Sequence, residues 1–485
     1  MITLSEIKKF ISDVGITFFS SIVSMFLGFL LIIFLGRYMG AEDLGYYRMI
    51  STIFGIAMLF ATMGIPVAII KYVSEFNNDN EIKEEIVSAG LIASFFLGIL
   101  SFAIVYLSAN VVAHFFEMPE LSSMLKILSF VFPFSIINSM LIGFINGIRE
   151  MNKNAYVSIF QGTSLLILSI ILVFNYGIDG AVWSIVLSSI LTTLLILSLQ
   201  RISSLSFQKL VSNSIQIINF GSKTVISNAV NLINYNADIL MIGYFMASTD
   251  VGVYSVAVMF AKVIWLFPDS VQKITLPLIS EYHAKNKQDY IKIVVDKCMK
   301  YSFLFLIFSS TFLFFFGAEI VDAIFGIEFE QAYFPLIILL IGTTIYGTTK
   351  SVGSIFASVG KVNLVYKIPL VSAIINIILN FVLIPSYGIN GAAFATSFSL
   401  VISMCLMLYF MKSILNIKFD YMWYFKAFGV TSSLVIAYLL LISYSDLFIN
   451  IILIVLQLTI YYQYFIPIDD KQRIHALFYM YKSHL

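Results

Sequence analysis

The residues of this chain that could do chemistry lie in runs where a lipid-facing helix should have none. The apolar run at 252–278 carries Lys262, Asp269 and Lys273, and the run at 215–243 carries Asn228, Asn231, Asn234, Asn236 and Asp238. An ionisable side chain inside the bilayer costs at least about 2.5–3.5 kcal/mol on insertion scales and is tolerated beside a partner or a water-filled cavity. Counted from Gly252, Lys262 lies about 15 Å deep at about 1.5 Å per residue, close to the midplane. Asp269 follows two turns on and Lys273 one turn beyond that. Two readings stand: a self-neutralising Lys-Asp-Lys ladder on a kinked helix, or a cationic site in a lumen with Asp269 as an ion-coupling candidate. Asn231, Asn234 and Asp238 follow i, i+3, i+7 spacing and share one helix face. That stripe either glues helices together, at about 0.6–2 kcal/mol per hydrogen bond, or lines a cavity that hydrogen-bonds sugar hydroxyls, with Asp238 taking a proton or Na⁺. Arg37 and Arg48, at the outer ends of the first two runs, are either snorkelling anchors or, with Lys262, a positive path for an anion.

The elements that must position these residues are membrane helices. The 485 residues are 60% hydrophobic and 11% charged, with a mean hydropathy of +0.96. A soluble domain carries about 25% charged residues. Fourteen apolar runs of spanning length can be read, the first at 14–36 and the last at 447–466. Lys and Arg fall in alternate loops, among them Lys71 and Lys83, Arg149 and Lys153, Lys285 to Lys300, and Lys412 and Lys418. The positive-inside rule makes those loops cytoplasmic. Both termini are then cytoplasmic, which requires an even number of spans. The expected fold is an all-α, multi-pass cell-membrane protein. The stretch 281–300 reads as a basic amphipathic connector, and Pro268 and Pro277 as kinks in the eighth span.

Two internal echoes organise the runs. GRYMGAEDLGYY at 36–47 matches GYFMASTDVGVY at 243–254 at five of twelve positions, an offset of 207 residues. YGIDGA at 176–181 matches YGINGA at 387–392 at five of six, an offset of 211. The chain therefore divides into a six-helix half at 1–208, a second at 209–415, and two added helices with a tail at 416–485. Six spans per half is even, so the halves enter from the same side as parallel repeats. Asp43 and Asp250 recur and read as helix N-caps.

No hydrolase, P-loop or metal-ligand pattern is present, and neither a cofactor nor a nucleic-acid partner is expected. The pair Glu42-Asp43 could hold a metal in a glycosyltransferase loop, but the loop is too short for a donor site. Cys298 and Cys405 are placed for neither a disulfide nor a metal.

IPVAIIKYVSEF at 65–76, ADILMIGYF at 237–245, PLISE at 277–281 and the two YGI-D/N-GA segments, by their order and spacing along the chain, resemble the polysaccharide flippases of the multidrug/oligosaccharidyl-lipid/polysaccharide exporter superfamily. The resemblance implies an alternating-access transporter, not an enzyme. Its substrate would be a polyprenyl-diphosphate-linked oligosaccharide, flipped from the cytoplasmic to the outer leaflet, and its partners membrane lipids and glycan-assembly proteins. It implies that spans 1, 2, 7 and 8 line a central cavity holding Arg37, Arg48, Asn231, Asn234 and Lys262. Spans 13 and 14 would form a groove for the lipid tail. The alternative is an ion-coupled drug antiporter of the same superfamily, which disfavours a Lys- and Arg-rich site.

Overall fold

A computed structural model describes residues 4–76, 79–200, 209–441 and 447–472. All regular structure among them is helical. Eight helices are long and apolar enough to cross a membrane, or ten when two bent pairs are each counted once. The fourteen runs of the sequence exceed this count for a physical reason. Three of the eight are α1 (Leu4–Ala61), α6 (Met151–Leu199) and α13 (Val362–Leu415), of 58, 49 and 54 residues. At about 1.5 Å per residue each is more than twice as long as a hydrocarbon layer of about 30 Å. Each is broken by one non-helical glycine: Gly40, Gly177 and Gly388 respectively.

The remaining helices are α2 (Ile65–Glu75), α3 (Asn80–Phe115), α4 (Glu120–Ser129), α5 (Val131–Gly147), α7 (Leu210–Phe245), α8 (Ser248–Val263), α9 (Leu266–Ala284), α10 (Gln288–Phe325), α11 (Tyr333–Lys350), α12 (Ile355–Ser358), α14 (Tyr421–Leu441) and α15 (Leu447–Ile460). The chain packs as two compact units, Met1–Ser255 and Val256–Leu485. In the first, Ile65, Ile69 and Val73 of α2 meet Ile86 of α3, Met140 and Ile145 of α5 and Ile217 of α7. In the second, Ile279 of α9, Val295 and Met299 of α10, Phe356 of α12 and Met407 and Met411 of α13 form the main cluster.

The echoes of the sequence are echoes of backbone. Gly177 has φ 58° and ψ −138°, and Gly388 has φ 58° and ψ −141°. A Cβ at Gly180 would stand 2.2 Å from the Leu172 carbonyl oxygen, and one at Gly391 2.4 Å from that of Leu383, the residue 211 positions on. The earlier echo makes a contact with itself. A Cβ at Gly45 would lie 1.8 Å from the Ser248 oxygen, and one at Gly252 1.9 Å from the Ala41 oxygen. Ala41 and Ser248, like Gly45 and Gly252, are 207 residues apart.

One local expectation is refined and two are corrected. The bend of 46° in the eighth span lies between α8 and α9, ahead of both prolines. Proline lacks an N–H and its ring collides with the carbonyl four residues back, which for Pro268 is Ile264, where α8 has just ended. Pro277 sits inside α9. The connector at 281–300 is mostly the first turns of α10. Asp250 is the third residue of α8, not its cap, and accepts the N–H of Ala247 at 3.3 Å, the returning half of a capping box.

Candidate functional site

Arg48 lies in the second arm of α1. Its side chain is half-buried, its Nε is shielded from solvent, and that atom has no hydrogen-bond partner among the described residues. A buried donor left unmade costs about 1–3 kcal/mol, and more when charged. Arg37, by contrast, is exposed at the end of the first arm.

Asp238 and its surroundings are set by α7 and α8. The carboxylate is 5% exposed and accepts the hydroxyl of Tyr254, itself fully buried, at 2.9 Å. The repeat pointed to this tyrosine, since Tyr47 is its counterpart, but not to its bond. The counterpart of Asp238 in the first half is Leu31, which is buried and apolar. The Asn236 amide bonds back to the Leu232 carbonyl at 2.9 Å, so it serves its own helix. The side chains of Asn228, Asn231 and Asn234 lie outside the described residues.

Lys262 and Asp269 belong to the second unit. Lys262 stands half-buried in the last turn of α8, and Asp269 in the first turn of α9. The bend between those helices removes the continuous face that seven-residue spacing implied. Asp269 accepts the ammonium of Lys350, from α11, at 2.7 and 2.9 Å. That ammonium also sits 4.2 Å over the Trp265 ring, and the indole N–H is donated to the Thr343 carbonyl at 2.8 Å. Lys350 is the charged residue that pattern reading missed. It lies near the end of the apolar run at 332–354. Lys273 is exposed.

Helix-gluing polar contacts are found on other helices. In the first unit Asn138 of α5 donates to the Ser189 carbonyl of α6 at 3.0 Å and accepts from Thr193 at 2.7 Å. In the second, Asn376 donates to Thr396 at 3.1 Å and Ser397 to the Ile338 carbonyl at 2.6 Å.

The added helices dock on α10. Gln457 of α15 donates to Thr311 at 3.2 Å and to Thr431 of α14 at 3.3 Å. Asp470 receives Lys297 at 2.9 Å and the Tyr301 hydroxyl. Beside α14 a largely apolar groove of about 660 Å³ runs between α10, α11 and α13, walled by Phe303, Thr348, Leu408, Tyr424, Phe425 and Phe428, with Lys412 at its edge.

Comparison with known proteins bears on what such a molecule is. The family model described as "Polysaccharide biosynthesis protein" matches residues 10–283, and that of "Lipid II flippase MurJ" matches residues 214–461, each just over half of the chain. The chain belongs to the polysaccharide flippase family. It is a multi-pass membrane protein of the multidrug/oligosaccharidyl-lipid/polysaccharide exporter superfamily. A probable low-salt glycan biosynthesis flippase of Haloferax volcanii is 24% identical, over 83% of this chain and 84% of the relative. A capsular polysaccharide biosynthesis protein of Staphylococcus aureus is 23% identical, over 82% and 98%. Among solved structures, the lipid II flippase MurJ in an inward closed conformation superposes with a TM-score of 0.73 at 20% identity, covering 93% of this chain and 99% of that one. An inward-facing multidrug resistance MATE family transporter superposes at 0.62 and 14% identity, covering 81% and 94%. The fold is thus shared by glycan-lipid flippases and drug transporters.

Proposed function

We propose that this family member flips a lipid-linked oligosaccharide, joined through a diphosphate to a polyprenyl chain, from the cytoplasmic to the outer leaflet of the cell membrane. The observation that carries the reading is Arg48, half-buried, with a shielded Nε that has no hydrogen-bond partner among the described residues. A diphosphate supplies the charge and oxygen acceptors that such a group lacks, and charge-assisted bonds to phosphate are strong and geometrically specific. Lys262 and Arg37 are assigned to anionic groups of the substrate, and Asn231 and Asn234 to the glycan hydroxyls. The sugar and phosphates exchange water for these side chains, because neither can enter hydrocarbon unpaired. The polyprenyl tail stays in lipid, and the apolar groove beside α14 is its resting place. The kinked span 8 is the gate of an alternating-access cycle.

Asp238 is the assigned coupling group, binding a proton or Na⁺. Asp269 is less suited to that role, because its carboxylate already holds Lys350. The division at 208/209 and 415/416 is retained for the two halves and the added pair. The near-equal dihedrals of Gly177 and Gly388 and the reciprocal Gly45/Gly252 contact support it. Taking each arm of the three glycine-broken helices as one crossing, and α7 as another, brings ten to fourteen. A drug-antiporter reading has the fold in its favour, but a cationic drug would be repelled by the positive charge of Arg48.

The test is flipping of a fluorescent polyprenyl-diphosphate sugar in proteoliposomes. Arg48→Ala and Lys262→Ala are each expected to slow flipping at least about tenfold, the equivalent of about 1.4 kcal/mol. Arg48→Lys should fall between, since an ammonium keeps the charge and loses the fork. Wild-type rates in both alanine variants overturn the cationic reading. In the same vesicles Asp238→Asn should abolish the response to an imposed proton or Na⁺ gradient, and an unchanged response removes Asp238 from coupling.

A further inference from the structure

The first unit holds a second polar feature, one the cationic residues do not touch. Between the first arms of α1 and α6 lies a pocket of about 390 Å³ lined by Ser20, Ser21, Ser24, Ser158, Gln161 and Gly162. Its volume is in the range of about 300–1,000 Å³ typical of small-molecule sites. The lining has hydroxyls and an amide but no charge.

The hydrogen bonding of that lining is incomplete. Ser20 and Ser21 both donate to the Thr17 carbonyl, at 3.0 and 2.7 Å, which leaves their oxygens free to accept. The Ser24 hydroxyl is shielded from solvent and has no partner among the described residues. Membrane helices satisfy a serine by such a bond to their own backbone when nothing else is offered, and Ser24 is not satisfied. Gly162 opens the floor: a Cβ there would come within 3.1 Å of the Leu27 Cδ1.

We infer that this pocket is a subsite for one uncharged sugar ring of the transported headgroup, separate from the residues that meet the diphosphate. A neutral ring offers several hydroxyls that both donate and accept, which suits four serines and a primary amide. An anion is poorly served, because no cation lines the pocket. The inference rests on the flippase reading and adds to it a specificity determinant for the glycan.

The experiment uses the full chain in lipid nanodiscs and two probes, a short polyprenyl diphosphate bearing one hexose and the same polyprenyl diphosphate without sugar. Gly162→Leu fills the pocket and is expected to weaken binding of the glycosylated probe about tenfold while leaving the bare probe unchanged. Ser24→Ala, which removes one hydroxyl with little steric change, is expected to give a loss of about two- to fivefold for the glycosylated probe alone. Gly429→Ala, in open space on α14, should bind both probes as the wild type does. Equal losses for both probes, or none for either, overturn the subsite and leave the flippase reading standing. Binding of neither probe by the wild-type chain overturns both.

Discussion

Asp269 holds Lys350 at 2.7 Å while that ammonium rests over the Trp265 ring, whose N–H reaches the Thr343 carbonyl. Four side-chain and backbone groups from α9, α11 and the α8–α9 bend are thus joined in one cluster. Removing one partner of a buried pair is costly because it strands the other, by about 3–5 kcal/mol when both are buried. The Asp269 side chain is 45% exposed, so Asp269→Ala is expected to cost less, roughly 1–3 kcal/mol. Lys350→Met in that background should recover most of the loss. Thermal unfolding of the purified variants in detergent checks both. A single variant as stable as the wild type would show that the pair holds nothing together. The sequence displayed Asp269 as a charge in an apolar run but could not show its partner, 81 residues away on another helix. The choice between a Lys-Asp-Lys ladder and a bond to α11 depends on packing that no spacing encodes.

At the scale of helices, the YGI-x-GA segments were legible because their physics is local. Gly177 and Gly388 share a backbone conformation that residues with a Cβ avoid, and Gly180 and Gly391 each face a carbonyl eight residues back. Alanine at Gly177 or at Gly388 is expected to destabilise the chain by about 1–3 kcal/mol, the usual cost of forcing a strained backbone region. The two costs should be similar and should add in the double variant, since the two glycines belong to different compact units. Thermal unfolding of the three variants measures this, and a double variant no worse than either single one would contradict it. The 46° bend between α8 and α9 was less legible. The sequence showed Pro268, but its effect falls on Ile264, four residues earlier, where nothing in the letters marks a break. The stretch at 281–300 misled for a related reason. Basic amphipathic patterning marks contact with an interface, and the first turns of a membrane helix have that pattern too.

For the whole molecule, apolar length carried the fold class, and the distribution of Lys and Arg is the basis of the orientation proposed for it. The proposed orientation is checked by reporter fusions. A green fluorescent protein should fluoresce when attached after residue 472 or inserted at 285–287, and a periplasm-dependent alkaline phosphatase should be active when inserted at Gly326. The opposite pattern would invert the assignment of every loop. The symmetry read from the two echoes has a further consequence at Gly45 and Gly252. A clash between two side chains can be relieved by shrinking the other partner. Here each absent Cβ faces a main-chain oxygen, that of Ser248 or of Ala41, and main-chain oxygens do not change with the codon. No second-site substitution can make room, so neither copy of the duplicated segment is free to drift at this position while the other stays as it is.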